Sequence, residues 1–306
     1  MIAPYRLLLL GIAFASCLRA EAARAGTVIE FPNTPERATP AHLLGYLARP
    51  DLGLFAVLGG GANAAAPYPA VVVLHGCSGF SSHNTKIADQ LASWGYLALA
   101  VDSLGSRGID SRCGGPNLPD QASDAYAALR YLSQLDFVDP TRVAVLGESM
   151  GGFSVLHVID RNLATRHSGH RFRAAIAYYP LCDIPSPTMS APTLILIGEA
   201  DETTPAENCQ AMVEHSRPEG APISLTVYSG AYHAFNVTRF DPVFAYSATG
   251  MNTTSRRRET PKRRCVPFSP GFWQALPQER PTERTRITSR APSDPDDASG
   301  QSTSIS

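Results

Sequence analysis

Val143-Ala144-Val145-Leu146-Gly147-Glu148-Ser149-Met150-Gly151-Gly152-Phe153 joins an apolar run to a glycine-flanked serine. Its first four residues are apolar and predict a buried strand. Gly147, Ser149 and Gly151 form a G-x-S-x-G that predicts a sharp turn, and residues 153–159 read as the start of a helix. Between a strand and a helix, this turn reads as a nucleophile elbow. Glycines flank the serine because a strand reversing into a helix leaves no room there for side chains. The strained turn lifts the hydroxyl out of the sheet, and the helix N-terminus behind it favours developing negative charge. A bare G-x-S-x-G is common by chance; the strand before it and the helix after it give it weight.

Working outward, apolar runs at residues 70–74, 96–101, 174–178, 193–197 and 224–228 predict further strands, with an earlier one at 42–48. Helical spacing marks residues 86–94, with Gly95 as a stop, then 120–135 and 206–215. Asp139-Pro140 is expected to separate the helix at 120–135 from the elbow strand. Strands that are almost wholly apolar and alternate with helices predict an α/β fold, a mostly parallel sheet with helices on both faces. Sites in such sheets form at the carboxyl ends of strands.

Two residues at such ends complete a chemistry for Ser149. A serine hydroxyl is a poor nucleophile until a base takes its proton, and the base needs a carboxylate to orient it. Asp201 follows the strand at 193–197, and His233 follows the strand at 224–228. The order Ser…Asp…His is that of α/β-hydrolases. Bland alternatives remain at this level: Asp201 as a cap for the helix near Pro205, Glu199 or Glu202 in its place, and His233 as a structural histidine. His75, His83, His157, His167, His170 and His215 are weaker base candidates, and His75, at a strand end, is expected to make a structural hydrogen bond. The oxyanion of an acyl-transfer intermediate needs two donors. The Met150 N–H is one candidate, and the Cys77 N–H in His75-Gly76-Cys77 is the other.

The 306 residues accommodate one α/β domain with extensions. A net charge of −1 gives no electrostatic case for a nucleic-acid partner. Residues 1–25 read as a secretory signal: one positive charge, an apolar run at 7–18 too short to span a bilayer comfortably, and cleavage after Ala22 or Ala25. The mature chain is then exported, periplasmic or secreted, with no stable membrane insertion. An uncleaved anchor and lipid attachment at Cys17 are the alternatives. Six cysteines are present; Cys17 leaves with the signal, and five remain in a disulfide-permissive compartment. Loop positions suggest Cys77 with Cys113 and Cys182 with Cys209. No C-x-x-C spacing occurs, so no zinc or other metal site is expected. The domain is read as residues 26–246. Residues 247–306, dense in Arg, Thr, Ser and Pro, read either as a disordered tail or as a frame-altered end lacking a closing helix.

Together, P-A-V-V-V-L-H-G at 69–76, W-G-Y-L-A-L at 94–99, the elbow, P-T-L-I-L-I-G-E-A-D at 192–201 and G-A-Y-H-A-F at 230–235 resemble the dienelactone hydrolase family of α/β-hydrolases. The resemblance runs from about Leu43 to Phe235. It implies a fold without a large lid and hydrolysis of a small-molecule ester or lactone with no cofactor. Three features depart from the family's best-known members. Ser149 stands where they use cysteine, and Gly76 stands where they carry glutamate. Asn236 and Val237 follow Phe235 where an arginine holds their substrate's carboxylate. A general serine esterase is therefore expected in preference to a hydrolase of muconate lactones. An exported serine peptidase or acyl-peptide hydrolase is the alternative within enzymes, although no propeller precedes the domain. A catalytically inactive binding module of the same fold is the alternative outside them.

Overall fold

The computed structural model describes residues 26–33, 41–50, 67–111, 113, 120–164, 169–237 and 286–290. The expected signal segment and the residue Cys17 lie outside them, as does His167. Among the described residues, nine strands form one sheet: β1 (Thr27–Asn33), β2 (Ala41–Ala48), β3 (Tyr68–Leu74), β4 (Leu97–Asp102), β5 (Val138–Glu148), β6 (Ala174–Tyr178), β7 (Thr193–Gly198), β8 (Ile223–Tyr228) and β9 (Arg286–Arg290). Their spatial order is β1-β2-β4-β3-β5-β6-β7-β8-β9. β2 runs antiparallel to both β1 and β4, and every pairing from β4 through β9 is parallel.

The expected strands are all present, and β3 shows why they were legible. Each residue from Ala70 to Leu74 is 0% exposed. Neighbouring strand residues face opposite sides of a sheet, so both faces here are covered. Helices α1 (Ser82–Ser93), α2 (Gln121–Ser133), α3 (Met150–Ile159), α4 (Arg161–Ala164) and α5 (Ala206–Glu214) supply the cover.

Several boundaries differ from expectation. β1 was not anticipated, because it is an edge strand whose Val28, Glu30 and Pro32 are exposed and whose proline weakens the strand signal. α1 begins four residues before its apolar stripe; Ser81 caps it with a box shared with Asn84. α3 begins at Met150, with Gly151 and Gly152 inside its first turn. Asp139-Pro140 does not precede the elbow strand but lies within β5, where the register against β3 shifts between Tyr68 and Ala70. The stretch 247–306, read above as a tail, contributes β9. Both expected disulfides, Cys77–Cys113 and Cys182–Cys209, are present.

Candidate active site

β5 delivers Ser149 at the sheet's carboxyl rim. Ser149 has φ 52° and ψ −113°, a conformation side chains rarely tolerate. The turn is held by the Ser149 N–H, which donates to the Tyr178 carbonyl at 2.9 Å, and by the Phe153 N–H, which donates to the Ser149 carbonyl at 2.9 Å. The flanking glycines are a packing necessity. A Cβ on Gly147 would lie 2.2 Å from the Gly151 carbonyl oxygen, and one on Gly151 would lie 2.4 Å from that of Leu74.

The residues read from sequence meet at this turn. The Ser149 hydroxyl lies 2.9 Å from His233 Nε2, and His233 Nδ1 lies 2.7 Å from Asp201 Oδ2. These partners assign the imidazole proton to Nδ1, which donates to the carboxylate while Nε2 accepts from the hydroxyl. Asp201 is buried, and its carboxylate also accepts from the N–H groups of Thr203 and Thr204 and from the Thr204 hydroxyl, each at 2.9 Å. It does not cap α5, whose N-cap is Pro205. Glu199 instead accepts from the Ser229 hydroxyl and the Gly230 N–H, bonds that lower its pKa, and Glu202 is exposed.

The other histidines that are described have different partners. His83 pairs with Glu148, His157 with Asp183, and His215 with the Ala211 carbonyl, while His170 is exposed. His75 makes the structural bonds expected of it. Its Nδ1 donates to the Gly76 carbonyl at 2.7 Å, its Nε2 accepts from the Ser103 N–H at 3.1 Å, and its own carbonyl accepts from Gln121. Burial lowers its pKa and keeps the ring neutral in this role.

Met150 opens α3 directly after the serine, so its N–H belongs to the first, unpaired turn of the helix. The loop carrying Cys77 runs beside the elbow: a Cβ on Gly76 would sit 3.6 Å from that of Ser149. That loop is tied to the one after β4 by the Cys77–Cys113 bridge and by the Ser111 hydroxyl, which donates to the Cys77 carbonyl at 3.3 Å. Among the described residues, no group of three or more potential metal ligands occurs.

Sequence reasoning missed the side chains around this core. Buried Glu148 and Tyr179 form a polar cluster with half-buried Asn236, and the Tyr179 ring packs edge-on against His233 with centroids 4.7 Å apart. Burial, reinforced by the nearby Glu148, raises the Tyr179 pKa well above the ordinary phenol value. Tyr179 could have been found by its place directly after an apolar strand; Asn236 stood out in the sequence only for not being an arginine, with no sign of its partners.

The family model described as the dienelactone hydrolase family matches residues 54–255, more than half of the chain. The chain belongs to the dienelactone hydrolase family. It is accordingly a hydrolase acting on ester bonds. Its relatives include a Yersinia pestis protein named as a carboxymethylenebutenolidase, 27% identical across 62% of this hydrolase and 73% of that protein. A second is acylamino-acid-releasing enzyme 2 from Oryza sativa subsp. japonica, 25% identical over 56% of this hydrolase, which spans only 28% of that relative's length. Among solved structures, an esterase from Thermogutta terrifontis with bound propionate superposes with a TM-score of 0.52 at 19% identity, covering 70% of the hydrolase and 87% of the esterase. The likeness is one of fold, the α/β-hydrolase fold. Among the described residues no helix is long and apolar enough to cross a membrane.

Proposed function

We propose that this member of the family is a serine hydrolase that cleaves a small ester or lactone through an acyl-enzyme. The observation that carries the reading is the unbroken run of hydrogen bonds from Ser149 through His233 to Asp201, 2.9 and 2.7 Å long. Ser149 attacks the carbonyl carbon as its proton passes to His233 Nε2. Asp201 holds the ring in the tautomer that can accept that proton and steadies the imidazolium that results. The oxyanion is stabilised by the N–H groups of Met150 and Cys77. His233 then protonates the departing alkoxide, leaving the acyl group on Ser149. Water attacks this ester, gives a proton to His233 and releases the acid, and Ser149 is restored. The substrate is not expected to be a small carboxylated lactone, since Asn236, which follows His233, is bound to Glu148 and offers no cation. Export is part of the proposal, because two cystines fit an oxidising compartment better than the cytosol.

The test is direct. Purified protein should hydrolyse p-nitrophenyl acetate or butyrate and label at Ser149 with a fluorophosphonate, and Ser149→Ala should lose both. Ester turnover by Ser149→Ala at the wild-type rate would refute the assignment; a wild-type protein that neither labels nor turns over would support an inactive binding module. The likeness to acylamino-acid-releasing enzymes favours one further reading, cleavage of acylated amino acids. Faster hydrolysis of N-acetyl-alanine p-nitroanilide than of simple esters would favour it.

A further inference from the structure

The elbow, the His233 loop and the helix behind the Cys77 loop come from distant parts of the chain, yet one side chain of the elbow bonds to the other two. It is Glu148, directly before Ser149 and 3% exposed. Its Oε1 accepts from Asn236 Nδ2 at 2.6 Å, lies 2.9 Å from His83 Nε2, and is 3.1 Å from the Tyr179 hydroxyl. Asn236 sits three residues after His233. His83 lies in the first turn of α1, whose cap, Ser81, closes the loop that begins at Gly76. Tyr179 completes the circle: its hydroxyl donates to Asn236 Oδ1 at 2.7 Å, and its ring is the one packed against His233.

A carboxylate here is unexpected on stability alone. The preceding residues Val143 to Leu146 are buried and apolar, and burying a carboxylate is unfavourable unless donors compensate it. Among the described residues, no lysine or arginine forms an ion pair with Glu148; its partners are the three side chains already named. Two donors, the Asn236 amide and the His83 ring, meet on one oxygen that also lies 3.1 Å from the Tyr179 hydroxyl; this suits an acceptor-only side chain, and an amide would present a donor of its own. The cluster therefore connects parts that must stay in register for proton transfer and for oxyanion binding.

We propose that Glu148 is a positioning residue of the hydrolase. Through Asn236 and Tyr179 it holds the His233 loop within hydrogen-bonding distance of Ser149, and through His83 it anchors the helix that carries the Cys77 loop. This rests on the roles given above to Ser149 and His233. Such a residue acts on the transition state and hardly on ground-state binding, so its loss is read in kcat.

The test uses the full chain with p-nitrophenyl acetate. Glu148→Gln and Asn236→Ala are expected to lower kcat on the order of ten-fold or more with KM within about two-fold. The double variant should fall no further than Glu148→Gln alone, since both changes break one connection. His83→Ala should lower kcat in the same way. Should Glu148→Gln fail to fold, Asn236→Ala and His83→Ala carry the test with the same expected outcome. Ser149→Ala is assayed alongside. If it retains wild-type turnover, the nucleophile is wrong and Glu148 has nothing to position. If it is inactive while Glu148→Gln, Asn236→Ala and His83→Ala keep wild-type kcat, the nucleophile stands and this proposal is overturned.

Discussion

His75 shows how a single buried side chain ties stability to pH. The folded chain uses its imidazole as a neutral donor and acceptor, and burial holds its pKa below the ordinary 6.5. Well above pH 6.5 neither the folded nor the unfolded state binds a proton there, so this residue adds no pH dependence. As pH falls below that value the unfolded chain takes up a proton that the folded chain refuses. Stability is then lost until the folded-state pKa is reached. In urea titrations from pH 7.5 to 5.5, wild type should lose more stability than His75→Gln, by at most about 1.4 kcal/mol per pH unit. Parallel curves for the two proteins would contradict this. At the same scale, the sequence named Ser149, Asp201 and His233 because each carries chemistry at a strand end. It gave no positioning role to Glu148 or Asn236. The middle residues of a G-x-S-x-G follow no rule, and an asparagine three positions past a histidine acquires its partner only when β5 and the loop after β8 are brought together.

Two cystines act on different elements, and removing them should have different consequences. Cys182–Cys209 joins the segment after β6 to α5, and both residues are buried. Cys77–Cys113 joins the partly exposed loops after β3 and β4, one of which carries the proposed oxyanion donor. Cys182→Ser should lower stability by about 3–4 kcal/mol in urea unfolding and leave kcat of the folded fraction near wild type. Cys113→Ser should lower kcat toward p-nitrophenyl esters at temperatures where the protein stays folded. The reverse pattern would mean that the bridge near the elbow is only a staple. Both pairings were expected from the sequence and are present, although Cys209 lies within α5 and not in a loop. Helix starts were less so, because the first turns of α1 and α3 are polar or glycine-rich and carry no apolar stripe. Capping by Ser81 and the tight packing of Gly151 set those ends instead.

Across the whole molecule, the sheet from β3 to β7 was readable because strands covered on both faces are continuous apolar runs, while β2 and β8, buried on one face, still carried enough apolar residues to be read. β1 was not, since an edge strand half in water loses that signature, and no apolar run marked β9. Only three described residues other than glycine have positive φ, and Ser149 is one of them. Glycine at that position would relax the backbone by about 1 kcal/mol relative to alanine. Ser149→Gly and Ser149→Ala are both expected to be inert, but the glycine protein should melt a few degrees higher. Equal melting points would show that the turn holds no such tension. If the difference is found, evolution has left this chain less robust than its own backbone permits, and the loss is concentrated at the atom that does the work.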